Sequence, residues 1–346
     1  MKVTIKKRNI QLLYPFKYFL GTLTVLPYAE VLLETKDGVC GQGEVACSLD
    51  VNGETNASSL HLEPYLQTIL HTADVQTEQD IEAIMLECGL KIAFNTATKC
   101  GLEQALYHIL AQRQKITISQ LFKPKKQSVK IQCTIPFLTD QDEYLQKITH
   151  ILAKQPEYIK FKIGVNIELE SWAIHKARIM DPMVGISVDA NQAFYSVAEA
   201  LRFLSGVESV NVCWAEQLIN KGHFAAWAQL KKKTQTPLMA DEAIQTPNDV
   251  LLYLQNDLVD VINLKLGKCG GIIEARKIIA LAHKYNKPVM LGSMVHGALG
   301  LKYNLAFGLS ENFITYDFFS YFSLRKKSLL PLINKKTLRT TKEVLR

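Results

Sequence analysis

A parallel (β/α) barrel behind a smaller N-terminal α+β domain is the fold this sequence predicts, and three observations predict it. From residue 128 onward, eight strand-like runs recur with starts 23–30 residues apart, the size of a βα unit. Helix-like stretches fill the gaps between them. Before residue 123 the pattern is different and reads as antiparallel strands followed by helices.

In order, Val3–Leu13 and Ala29–Thr35 read as strands, and Lys36-Asp37-Gly38 turns the second into Val39–Val45. Helical patterns follow, including Leu102–Gln112. The barrel runs are SVKIQCT (128–134), YIKFKIG (158–164), VGISVDA (184–190), VNVCWAE (210–216), TPLMADE (236–242), VDVINLK (259–265), KPVMLGS (287–293) and NFITYDF (312–318). Leu169–Met180, Ser196–Gly206, Pro247–Gln255 and Ile272–Tyr285 are the intervening helices, and Thr246-Pro247 reads as an N-cap with proline at the first helical position. Eight strands in this rhythm favour a closed barrel over an open sheet. The expected division is 1–122 as the α+β domain, 123–318 as the barrel and 319–346 as a segment packing back on the first domain.

Composition sets outer bounds. The 346 residues are 48% hydrophobic and 21% charged, which is ordinary for a globular protein with a sizeable core. The net charge of +7 is concentrated: eight Lys/Arg against one acid, Glu343, between Arg325 and Arg346 account for the whole excess. That reads as a solvated basic segment, so no nucleic-acid partner is expected. No run of 18 apolar residues predicts a membrane span, and the polar start MKVTIKKRN has no signal-peptide core. Seven cysteines without a CxxC pair suggest free thiols in a reducing cytoplasm.

Chemistry concentrates where barrels carry it, at the C-terminal ends of the strands. Those ends offer Lys160 and Lys162, then Asp189 with Asn191, then Glu216, then Asp241 with Glu242, then Lys265, and on the last strand Asp317. Each acid alone would fit a helix cap. Three on consecutive strands would repel one another unless a cation sat among them. Oxygen-only ligands favour a hard ion, Mg²⁺ before Mn²⁺ or Ca²⁺. Lys160 and Lys162 are two apart and so share one face of their strand. A lone strand lysine would snorkel to the surface. Two in register inside an apolar strand suggest a tuned pair, with Lys160 and the ion lowering the pKa of Lys162 until it can act as a base.

The ordered set KFK (160–162), DAN (189–191), WAE (214–216), ADE (240–242) and NLKLGKCGG (263–271) resembles the enolase superfamily, in its muconate-lactonizing subgroup, over nearly the whole chain. GQGEVACSLDVNGET (41–55) is similar to the capping-domain loop that closes over the barrel mouth in that family. The resemblance implies a modified TIM barrel, (β/α)7β, with a capping domain. It implies one Mg²⁺ per subunit on Asp189, Glu216 and Asp241, with Lys162 and Lys265 as bases on opposite faces of a substrate carboxylate's α-carbon. Asn191 and Glu242 would support those groups from behind.

The closest likeness within the subgroup is to dipeptide epimerases of the L-Ala-D/L-Glu type, which would make the chain a cytoplasmic isomerase, in murein-peptide recycling if the substrate is Ala-Glu. Thr134, Lys160, His296 and Asp317 would then meet the dipeptide. Two positions depart from the Ala-Glu pattern. Gly21 stands where an arginine would meet the glutamate side chain, with Lys17 as a substitute, and Thr315-Tyr316-Asp317 keeps only the second acid of a D-x-D pair for the ammonium. The alternatives are o-succinylbenzoate synthase or muconate cycloisomerase of the same subgroup, or a non-catalytic barrel. The oligomeric state, a homo-oligomer included, stays open.

Overall fold

The computed structural model describes residues 1–18, 21–318 and 339–341. The side chain of Lys17 and those of the basic segment Arg325–Arg346 lie outside the described residues.

The N-terminal part is a three-stranded antiparallel sheet in the order β1 (Lys2–Tyr18), β2 (Gly21–Glu34), β3 (Cys40–Val45). Along the second half of β2, Ala29, Val31 and Leu33 are buried while their neighbours are not, the period-two pattern of a sheet with one wet face. The first hairpin is longer than the sequence suggests, and β2 runs through Pro27. The proline is tolerated because β3 pairs with β2 only from Ala29 onward, so β2 has a single neighbour at Pro27.

Five helices follow: α1 (Asn56–His61), α2 (Glu63–Leu70), α3 (Glu78–Lys91), α4 (Thr96–Arg113) and α5 (Ile118–Leu121). Most of α4 is buried, so it is a core helix rather than an amphipathic cover. It lies so close to β3 that a Cβ on Gly43 would stand 1.8 Å from the Gly101 carbonyl oxygen. Only glycine permits that approach.

The second part begins with β4 (Ser128–Lys130), which pairs antiparallel with β13 (Arg339–Thr341). Eight parallel strands then stand in sequence order: β5 (Cys133–Ile135), β6 (Tyr158–Lys162), β7 (Gly185–Asp189), β8 (Trp214–Glu216), β9 (Leu238–Ala240), β10 (Val261–Leu264), β11 (Val289–Gly292) and β12 (Tyr316–Asp317). The run read as one strand at 128–134 is therefore two, and the run at 210–216 contributes only its last three residues. An Ile131–Tyr316 bridge and a Gln132 amide donating to the Tyr316 carbonyl (2.9 Å) bring the two edges of the sheet together. The helices are α6 (Gln141–Leu152), α7 (Ile167–Met180), α8 (Val197–Gly206), α9 (Phe224–Lys233), α10 (Pro247–Gln255), α11 (Leu266–Cys269), α12 (Ile272–Lys284) and α13 (Ala298–Ser310).

Local signals place their starts. Thr246 accepts from the Asp249 amide ahead of Pro247, and Ser196 does the same for Glu199. Inside the ring, Trp214, Met239, Val261 and Met290 form an apolar plug with Tyr158 packed on it. The polar groups lie at the strands' C-terminal ends.

Candidate active site

Register decides which side chains become neighbours. Lys162 pairs with Asp189 across β6 and β7, and Asp189 pairs with Glu216 across β7 and β8. Each is the last residue of its strand. Asp241 and Lys265 each stand one residue past a strand end, and Asp317 closes β12. In a ring of eight, β6 and β10 are four places apart and therefore face each other. Lys162 and Lys265 thus approach from opposite sides, and Asp189, Glu216 and Asp241 occupy the arc between them.

The acids are buried: Asp189 and its two partners are at most 1% exposed. Lysines meet them. Lys162 Nζ lies 2.7 Å from Asp189 Oδ2, and Lys265 Nζ lies 2.6 Å from Asp241 Oδ2. Lys160 sits one layer deeper, 3.2 Å from both Asp189 and Glu216 and in direct contact with Asp317. Burial opposes its charge, yet those three carboxylates hold Lys160 well above the ordinary lysine range. Burial, aided by Asp189, pushes Glu216 up to about 8, whereas Lys265 and Lys268 overcome burial to hold Asp241 far below the carboxylate range. Lys160 is thus the centre of a buried ion network rather than a free ammonium repelling Lys162. Among the described residues, no three His, Cys, Asp or Glu side chains are drawn together as a preformed metal cluster.

The donor set nonetheless fits a hard cation. It is all oxygen, it comes from three consecutive strands, and Glu242 Oε2 beside it is buried without a partner. Tight turns hold the set. Asn191 and Gln217, directly beyond β7 and β8, have φ of 43° and 41°, rare for non-glycine residues. Asn191 accepts from Lys162 and donates to Glu242 Oε1 (2.9 Å), and Gln217 Oε1 accepts the amides of Asp241 (2.9 Å) and Ala243 (3.1 Å).

A cavity of about 120 Å³ opens between the two domains, lined by Thr134, Lys160, Lys162, Asn191, Glu242, Lys265 and Asp317 from the barrel. Ser293, Met294 and Val295 form its rim, and Leu23, Leu26, Cys47, Ser48, Asp50 and Val51 cover it from the capping domain. Thr134 Oγ1 and Asp317 Oδ1 are buried there without partners. His296 is not among the lining residues. Its ring is fully buried and Nδ1 lies 3.1 Å from Glu44 Oε1, so it joins the two domains instead of facing the cavity. Gly21 opens β2 with nothing within 4 Å of where a Cβ would stand.

Sequence reasoning missed Lys268, Asn263 and Gln217. Lys268 Nζ reaches Asp241 Oδ1 (2.7 Å) and the Asn263 carbonyl (3.0 Å), and burial lowers its pKa. Asn263 Nδ2 donates to Glu216 Oε1 at 2.6 Å. The available signal was spacing: Lys268 falls one helical turn beyond Lys265.

Fold and site together define a barrel enzyme built around buried strand-end carboxylates and opposed lysines under a capping domain. Residues 1–122 match the family described as mandelate racemase / muconate lactonizing enzyme, N-terminal domain, and residues 144–340 match the enolase C-terminal domain-like family. The chain belongs to that family of the enolase superfamily. It is 27% identical over 328 residues to the L-Ala-D/L-Glu epimerase of Bacillus subtilis, covering 92% of this chain and 87% of that one. It is 28% identical over 314 residues to an o-succinylbenzoate synthase of Geobacillus kaustophilus, covering 90% and 82%. The solved substrate-liganded complex of the Bacillus subtilis epimerase superposes with a TM-score of 0.88 at 25% identity, covering 99% of this chain and 96% of that one.

Proposed function

We propose that this chain is a Mg²⁺-dependent dipeptide epimerase that inverts the α-carbon of the C-terminal residue of a dipeptide. The observation that carries the reading is the placement of Lys162 and Lys265 on opposed strands of one ring, both lining one cavity. One lysine, as the neutral amine, takes the α-proton. The C–H electron pair passes onto the substrate carboxylate. The ammonium across the cavity gives a proton to the other face of the carbon, so the substrate keeps its composition and changes hand. Asp189, Glu216 and Asp241 would hold the ion. When bound, Mg²⁺ supplies positive charge at the carboxylate oxygens, where the electron pair collects. Asn191 and Glu242 hold the loops that aim these groups.

The described capping-domain wall carries Leu23 and Leu26 and no basic side chain, which suits an apolar C-terminal residue at least as well as glutamate. If Ala-Glu is taken, the role would be murein-peptide recycling. The seven unpaired cysteines suit the cytoplasm.

Incubating a panel of L,L-dipeptides with Mg²⁺ in deuterated buffer tests the reading by mass spectrometry and chiral separation. One deuterium per molecule and the L,D epimer are expected, lost on chelation and restored by Mg²⁺. No exchange across the panel overturns it. The similarity to o-succinylbenzoate synthase favours a second reading, a dehydration that needs no acid for an ammonium. Asp317→Ala separates the two, since it should impair the epimerase and spare the dehydration.

A further inference from the structure

The loop after β3 is a preformed unit. The Ser48 carbonyl accepts the amides of Asn52 (3.1 Å) and Gly53 (3.0 Å), and Asn52 Oδ1 returns to the amides of Ser48 (3.1 Å) and Glu54 (3.2 Å). Gly53 makes the turn at φ +73°, where a side chain would be strained. Two barrel side chains grip this unit at one atom. Gln245 Nε2 donates to the Val51 carbonyl at 2.6 Å, and Lys221 Nζ reaches the same oxygen at 3.4 Å. The loop is thereby held over the cavity, and Asp50, whose carboxylate is fixed by the Ser48 hydroxyl, lines it.

Charge gives Asp50 a task. Three lysines line the cavity, and the acid on the last strand, Asp317, already carries Lys160 on one oxygen. Asp317 Oδ1 and Thr134 Oγ1 are buried, unpartnered and face the cavity, so acceptor capacity is present but no net negative charge accompanies it. Glu242, the other lining acid, accepts from Asn191 on Oε1, and its unpartnered Oε2 stands beside the Asp189, Glu216 and Asp241 donor set. A positively charged group entering here needs one further carboxylate.

We infer that Asp50, carried by the loop that Gln245 and Lys221 hold shut, is the second carboxylate for the substrate's ammonium, opposite Asp317; this rests on the dipeptide reading above. The acid absent at Thr315 is replaced by one from the capping domain, and Gln245 is a positioning residue. Substrate selection by its amine is therefore coupled to closure of the loop.

Calorimetric binding with Mg²⁺ present tests this, using L-Ala-L-Glu and L-Ala-L-Leu and their des-amino counterparts, N-propionyl-L-glutamate and N-propionyl-L-leucine. Asp50→Asn should raise the Kd of a dipeptide at least tenfold while its N-propionyl counterpart shifts less than twofold, and Asp50→Glu should recover part of the loss. Gln245→Ala should weaken the dipeptide more than its N-propionyl counterpart, because it releases the loop that carries Asp50. Equal shifts in Asp50→Asn, or none, overturn the inference, as does failure of the unaltered protein to bind any of the four. A dipeptide that binds in an Asp50-dependent way without losing its α-proton would sink the epimerase reading and leave Asp50 in place.

Discussion

Replacing Glu44 with alanine should cost the fold far more than an ordinary surface charge does. Glu44 is the penultimate residue of β3, is 2% exposed, and lies at the N-terminus of α13. Its carboxylate accepts the amides of Gly297 (2.6 Å) and Gly300 (3.1 Å) and faces His296 Nδ1 at 3.1 Å. Both glycines make room for it, because a Cβ on either would fall within 2.9 Å of a Glu44 oxygen. Truncation strands two amides and an imidazole N–H. At about 1–3 kcal/mol per orphaned buried donor, with water relieving part of it, the loss is about 3–5 kcal/mol. The missing anion at a helix start adds about 0.3–1 kcal/mol.

The control is Glu30→Ala, which breaks an exposed pair with Arg8 (2.7 Å) and should cost about 1 kcal/mol or less. Urea unfolding followed by circular dichroism reads both. A Glu44→Ala loss within about 1 kcal/mol of the control would refute the reasoning, since a buried anion joining two domains cannot be that cheap.

Glu103 offers a pH test. It lies on α4, accepts the Ile272 amide at the start of α12 (2.6 Å) and the Tyr303 hydroxyl (3.1 Å), and burial pushes it up to about 8. The folded chain then binds a proton there that the unfolded chain releases near 4.5, so this contribution to stability falls as pH rises from 4.5 through 8. Denaturation midpoints measured at pH 6 and pH 9 should decline, and Glu103→Gln should flatten that decline. A Cβ on Gly292 would meet Asn263 Oδ1 at 2.3 Å and Lys265 Cε at 3.0 Å. Gly292→Ala should therefore lower kcat at least tenfold with circular dichroism unchanged, and unaltered kinetics would show that Lys265 has slack. Asn263→Ala removes the amide that holds Glu216 and should weaken Mg²⁺ binding in calorimetry by about 10–100-fold, the usual effect of removing such a support.

Much of this was legible in the chain. Most barrel strands announce themselves because their residues are buried on both faces and so read as short apolar runs, and each acid or lysine at a strand end inherits its place from that assignment. α10 begins where Thr246-Pro247 says it must, from a purely local rule. What stayed hidden depends on long-range packing. His296 bonds Glu44, 252 residues away. Glu103 reaches α12 across 169 residues, and no periodicity in either segment carries that contact. The ion pairs of Lys160 with Asp317 and of Lys268 with Asp241 arise from ring closure and a short helix, which fix distances that spacing along a single chain leaves free.

The most direct test of the central claim is stereospecific hydrogen exchange in single-lysine variants. With Mg²⁺ and deuterated buffer, Lys162→Ala and Lys265→Ala should each abolish epimerisation. Each should still exchange the α-proton of one diastereomer, and the two variants should act on opposite ones. If both variants exchanged the same diastereomer, or if either still interconverted the pair, the two lysines would not work from opposite faces and the account would be contradicted.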